Sequence, residues 1–177
     1  MNKILHFFFG KNRRAKENIG IGGKVTVQVR RFNPVTQSYG DWEIICKDKS
    51  NLLTNAGRDW FKDQGYTNTS AGTRGAGYIA LSENATAPAD GDTSVTGEIS
   101  TNGLSRADAG TKTNNAGAAT ALIEHTFTAS GSFSAVQKAG LLTASSGGTL
   151  VHENTFTSTA LSSSDQIKVT WNLTLND

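Results

Sequence analysis

A chain of 177 residues and 18.7 kDa is long enough to bury well over half of its unfolded surface in one domain, and its single cysteine excludes an internal disulfide framework. With 19 Gly, 2 Pro and an abundance of Ser, Thr, Asn and Ala, the composition argues against a helical architecture and for many short strands joined by turns. The net charge of +2 is unevenly spread: residues 1–62 carry 12 Lys and Arg against 5 Asp and Glu, whereas residues 63–177 carry 5 against 10. The amino-terminal part is therefore suited to an acidic surface or to the acidic part of a neighbouring copy, the alternative being a chance scatter of solvated charges.

Residues 1–17 place an apolar cluster, Ile4, Leu5, Phe7, Phe8 and Phe9, ahead of Lys11, Arg13, Arg14 and Lys16. A secretory signal has its positive charges first, and a membrane span needs a far longer apolar run, so neither export nor membrane insertion is expected. The stretch reads as an arm whose phenylalanines dock on a partner while its basic residues meet negative charge on protein or phosphate. In a second reading, Phe7, Phe8 and Phe9 cover an open edge of the chain's own body. Gly20, Gly22 and Gly23 are expected to form a flexible joint, dividing an arm at 1–23 from a body at 24–177. They do not form a phosphate loop, because no strand precedes them and Lys24 is followed by Val25.

A hairpin is expected next, with Val25, Val27 and Val29 on one face of its first strand and Trp42, Ile44 and Cys46 on one face of its second. The connection, residues 33–41, is long enough to project and carries Tyr39, and Arg30 and Arg31 extend the basic surface of the arm. One short helix is expected near 54–64: Thr54 can cap it, Trp60 and Phe61 would lie in the core, and Gly65 would end it.

Residues 66–77 form a loose polar stretch, 78–82 a short buried strand, and 84–96 a loop. Asp90, Gly91 and Asp92 in that loop supply too few oxygens for a calcium site. A strand is expected at 98–106 and a second loose segment at 108–119. Strands follow at 121–128, at 133–143 with a bulge, and from 150 to 156. Ser145, Ser146, Gly147 and Gly148 would turn the middle pair into an antiparallel hairpin. The clearest signal is the last: Ile167, Val169, Trp171, Leu173 and Leu175 alternate with polar residues, which requires a sheet with one dry face and an opposing layer. The expected fold is all-β, an antiparallel β-sandwich of jelly-roll-like type with one short helix and an extended N-terminal arm.

Reactive constellations are not legible. His125 and His152 fall on separate strands in step with apolar residues, Glu124 and Glu153 point to the opposite faces, and Cys46 reads as a small core residue. No serine stands in a Gly-x-Ser-x-Gly elbow. No catalytic activity, cofactor or metal is expected, and the strands lack the interleaved basic and aromatic pattern of a nucleic-acid platform.

The run Asn51-Leu-Leu-Thr-Asn-Ala-Gly-Arg-Asp59 entering a helix, then Tyr78-Ile-Ala-Leu-Ser82, residues 92–98, Ala139-Gly-Leu-Leu142, Gly147-Gly-Thr-Leu-Val151, Phe156 and Val169-Thr-Trp171 follow one another in an order that resembles small β-rich virion proteins of tailed bacteriophages. The resemblance covers about two-thirds of the chain. It implies a virion location, a mechanical role, and symmetric homo-oligomers such as trimers. The expected function is capsid decoration or cementing, with the major capsid protein as partner and Phe7, Phe8, Phe9, Lys11, Arg13, Arg14, Lys16, Arg30 and Arg31 as the contact residues. A tail, baseplate or fibre component is the second expectation, and a lectin-like module using Tyr39, Tyr66 or Tyr78 the third.

Overall fold

A computed structural model of the chain describes residues 20–62, 75–114 and 120–176. The expected contacts Phe7, Phe8, Phe9, Lys11, Arg13, Arg14 and Lys16, together with Tyr66 and the expected helix stop at Gly65, lie outside the described residues.

In chain order the strands are β1 (Gly20–Arg30), β2 (Phe32–Asn33), β3 (Ser38–Tyr39), β4 (Glu43–Ser50) and β5 (Leu52–Leu53), then the helix α1 (Asn55–Lys62). After it come β6 (Tyr78–Ser82), β7 (Ala107–Asp108), β8 (Thr111–Asn114), β9 (Thr120–Thr128), β10 (Phe133–Leu142), β11 (Leu150–Leu161) and β12 (Gln166–Asn176). Two five-stranded antiparallel sheets result, ordered β4-β1-β12-β9-β8 and β5-β11-β10-β6-β7, with β2 and β3 as a separate small hairpin. The protein is mostly β with one short helix among the described residues, as its composition and periodicities require.

The alternating last strand is central in its sheet, flanked by β1 and β9. Its Ile167, Val169 and Trp171 pair with Val29, Val27 and Val25 on one side and Phe127, His125 and Ile123 on the other. Ile79, Leu81, Val136, Ala139, Leu141, Phe156 and Leu161 of the second sheet join the same apolar cluster. Each large aliphatic or aromatic side chain so buried contributes about 1.5–3 kcal/mol.

Several local expectations are corrected. Gly20, Gly22 and Gly23 are not a joint; they belong to β1, because β12 runs on to Asn176 and they pair with its last residues. At Gly23 an added Cβ would crowd the ends of two side chains, Asn51 Oδ1 at 2.8 Å and Leu173 Cδ2 at 3.0 Å, which would have to shift. Trp42, Ile44 and Cys46 do not share a face. The β1–β4 register slips between Val27, opposite Cys46, and Gln28, opposite Ile44. Ile44 is consequently 52% exposed, while Ile45 and Cys46 pack on the core. Residues 98–106 are not a strand: Glu98 makes one isolated bridge to Ser82, and Asn102 and Gly103 adopt positive φ. Part of the stretch expected to be loose at 108–119 instead pairs, as β7 and β8.

Thr54 caps α1 as expected, its Oγ1 accepting the Gly57 N–H at 3.0 Å. The same hydroxyl donates to the Leu150 carbonyl, tying the helix start to β11. Trp60 and Phe61 are only partly buried and lie outside the central cluster; they pack edge-to-face on each other, with Phe61 beside His152. Residues 83–99 pass over the second sheet, where Val95 joins Ala80, Leu142 and Leu150 in a smaller cluster. The bulge expected in β10 is present as register shifts against β11, and Gly147 and Gly148 turn between the two strands with positive φ.

Candidate functional site

Odd residues of β1 point into the core, so the even ones face outward. Arg30 follows Gln28 on that outer face and lies opposite Gln166 of β12, donating from Nε to Gln166 Oε1 at 2.8 Å. The connection after β1 folds as a small hairpin. Asn33 Oδ1 accepts the Val35 and Thr36 N–H groups, and Gln37 takes positive φ. That turn brings Tyr39 back over Arg30, with the guanidinium carbon 4.3 Å from the Tyr39 ring centre and 4.6 Å from that of Trp42. Lys168 of β12 reaches the same Trp42 ring at 4.9 Å.

The result is a cationic and aromatic patch with two apolar neighbours. Ile44 lies on the same outward face, and Val35 at the hairpin tip is 90% exposed. Two cations over one indole make the patch attractive to an acidic group, and the aromatic and aliphatic carbon around them provides area that a partner can bury.

Arg31 turns the other way. Its Nη1 donates to the Ala160 carbonyl and, at 2.8 Å, to Asp165 Oδ2, clasping the turn between β11 and β12. Burial opposes ionisation of Asp165, but the N–H of Ser162, the Arg31 guanidinium and the N–H of Phe32 outweigh it and hold the carboxyl below the ordinary carboxylate range. Of the two adjacent arginines, Arg30 belongs to the outer patch and Arg31 to the framework that holds the hairpin. Sequence reasoning missed Trp42 and Lys168 as members of the patch. The apolar run Ile44-Ile45-Cys46 was the available signal, because three consecutive apolar residues cannot alternate and so announce a slip in register.

No protein-family model matches the chain, and no curated protein or solved structure matches it either. The site is therefore characterised by its geometry.

Elsewhere, His125 and His152 lie on strands of different sheets, and burial pushes both below the ordinary imidazole range, His152 to about 4. Among the described residues no group of three or more His, Cys, Asp or Glu side chains is placed to hold a metal ion, and no helix is long and apolar enough to cross a membrane. Burial also raises the Cys46 thiol, consistent with its packing on the core. A cavity of about 240 Å³ opens beside the start of β1, lined by Gly22, Gly23, Lys24, Ser50, Asn51 and Thr174.

Proposed function

We propose that this protein is a structural subunit of a tailed-bacteriophage virion, a capsid decoration or cement protein that binds the outer shell and bridges neighbouring subunits. In this reading the two sheets form a jelly-roll-like β-sandwich, the working unit is a homotrimer, and the partner is the major capsid protein. The protein would then reside in the virion after assembly in the host cytoplasm.

The observation that carries the reading is that the segments with a virion-protein resemblance pack on one another. Thr54 bonds to the Leu150 carbonyl, Ser82 forms a β-bridge with Glu98, and Gly140 lies under Val95. Leu141, Phe156, Val169 and Trp171 share one apolar cluster. The motifs thus describe one body, and the cationic patch of Arg30, Tyr39, Trp42 and Lys168 gives it an outward surface for an acidic partner. The arm residues Phe7, Phe8, Phe9, Lys11, Arg13, Arg14 and Lys16 add charge of the same sign and apolar anchors. Tyr39, a candidate sugar platform, has Arg30 over its ring, which favours a protein contact over a lectin site.

Purified protein is expected to rebind capsids stripped of it, and deletion of residues 1–16 to abolish rebinding while leaving the β body folded. Equal rebinding by the truncated form would remove the arm from the interface. Copurification with tails and no affinity for heads would move the protein to the tail or fibre.

A further inference from the structure

Lys138 and Glu153 face each other with nothing between them. In the β10–β11 register Gly140 lies opposite Glu153 and Lys138 opposite Thr155, so Lys138 and Glu153 are diagonal neighbours on one face. Gly140 leaves that space free of a side chain. The Lys138 Nζ lies 3.4 Å from Glu153 Oε1, and the two side chains are 1% and 0% exposed. Residues of the 83–99 segment form the roof: Val95 covers Gly140, and the Asp92 carboxyl is set against that of Glu153. The roof is pinned by Asn55 N–H to the Asp90 carbonyl and by Ser82 Oγ to the Thr96 and Gly97 carbonyls.

A stable buried carboxylate is ordinarily surrounded by hydrogen-bond donors, yet neither oxygen of Glu153 makes a regular hydrogen bond. Burial favours the uncharged form of the Glu153 carboxyl, while the Lys138 side chain beside it opposes that shift. The neutral acid and a neutral amine are the reactive partners for amide formation.

We propose that Lys138 and Glu153 condense into an intramolecular isopeptide bond, with the Asp92 carboxylate moving the proton. A proton passes from the Lys138 ammonium to the Glu153 carboxylate, giving amine and carboxylic acid. The Nζ lone pair attacks Glu153 Cδ, forming the C–N bond. Asp92 takes a proton from the nitrogen and delivers it to a hydroxyl on the tetrahedral carbon. The C–O bond then breaks and one water leaves, so that ammonium and carboxylate become amide and water with no oxidant, nucleotide or metal required. Burial raises the Glu153 carboxyl to about 7, which keeps the acid form accessible near neutrality. Fixed contact between the two groups supplies an effective concentration of about 10⁵ M or more, and the dry site opposes hydrolysis.

The test uses the full chain, purified and held at neutral pH, then denatured and weighed by mass spectrometry. The expected mass is one water below that of the sequence, and digestion should yield a branched peptide joining Lys138 to Glu153. Lys138→Met should keep the full sequence mass, and Asp92→Asn should slow the loss of water by about 10²-fold or more in a time course after refolding. Folded wild-type protein that keeps its full mass and gives no branched peptide overturns the proposal. So does a water loss that maps to the Asp90–Gly91 pair as a succinimide. The decisive measurement is made on the wild-type chain, so a variant that fails to fold does not affect it.

Discussion

His152 of β11 lies flat against Trp171 of β12, the ring centres 6.2 Å apart and the planes 25° from parallel. The contact joins the two sheets at the middle of the central strand, and it places a titratable ring where water does not reach: His152 is 1% exposed and neither ring nitrogen makes a regular hydrogen bond. The imidazole serves as an aromatic wedge. Its cost appears on acidification.

Burial lowers His152 from the ordinary 6.5 to about 4. As pH falls, the unfolded chain takes up this proton first, so the contribution to stability is complete above pH 6.5 and is lost as pH falls toward 4. The loss amounts to at most about 3 kcal/mol. Chemical denaturation across this window should show stability falling with acid, and His152→Leu should flatten the slope. A free Glu153, raised to about 7, titrates in the opposite sense, its contribution being complete below pH 4.5 and lost as pH rises toward 7. Once that carboxyl is amidated, the opposing slope disappears.

Arg31 and Asp165 should respond unequally to truncation. Arg31 is half exposed, so Arg31→Ala should cost about 1 kcal/mol. Asp165 is 5% exposed and also accepts the Phe32 and Ser162 N–H groups, so Asp165→Ala should cost about 2–4 kcal/mol by leaving those donors without a partner. Urea denaturation of both single variants and the double variant checks the order.

Gly57 and Gly22 should respond to alanine with opposite signs. Helix propensity alone says that Gly57→Ala gains about 1 kcal/mol. A Cβ there would meet the Val151 carbonyl oxygen at 2.5 Å, so the helix must lift from β11 and the substitution should instead destabilise by about 1–3 kcal/mol. Gly22 faces open space within its strand, and Gly22→Ala should stabilise by about 0.5–1 kcal/mol. Thermal melts of the two variants should move in opposite directions.

Within the outer patch, Arg30→Ala should cost about 1–2 kcal/mol, because it removes two ring contacts and the bond to Gln166. Lys168→Ala removes a second cation from a ring that Arg30 already covers and should leave stability within about 0.5 kcal/mol. If the patch meets the capsid, Lys168→Ala should nonetheless weaken rebinding, most clearly at low salt where surface charges are least screened. Unchanged rebinding at low salt would place the shell contact elsewhere.

What could be determined from residue order alone was whatever depends on near neighbours in the chain. The alternation of Ile167, Val169 and Trp171, the Thr54 cap, the buried run at 78–82 and the Gly147–Gly148 turn are each set within a few residues, and each was legible for that reason. Tertiary structure decided what depends on partners far apart. Gly20, Gly22 and Gly23 became strand because β12 runs alongside them to Asn176; Trp42 turned outward because β4 slips one residue against β1; Glu153, expected only on the face opposite His152, was sealed because the 83–99 segment folds over it. The outer patch joins Arg30 to Lys168, and the buried pair joins Lys138 to Glu153. Side-chain periodicity records which face a residue takes on a regular strand; it carries no information on where a register slips or which loop later covers that face.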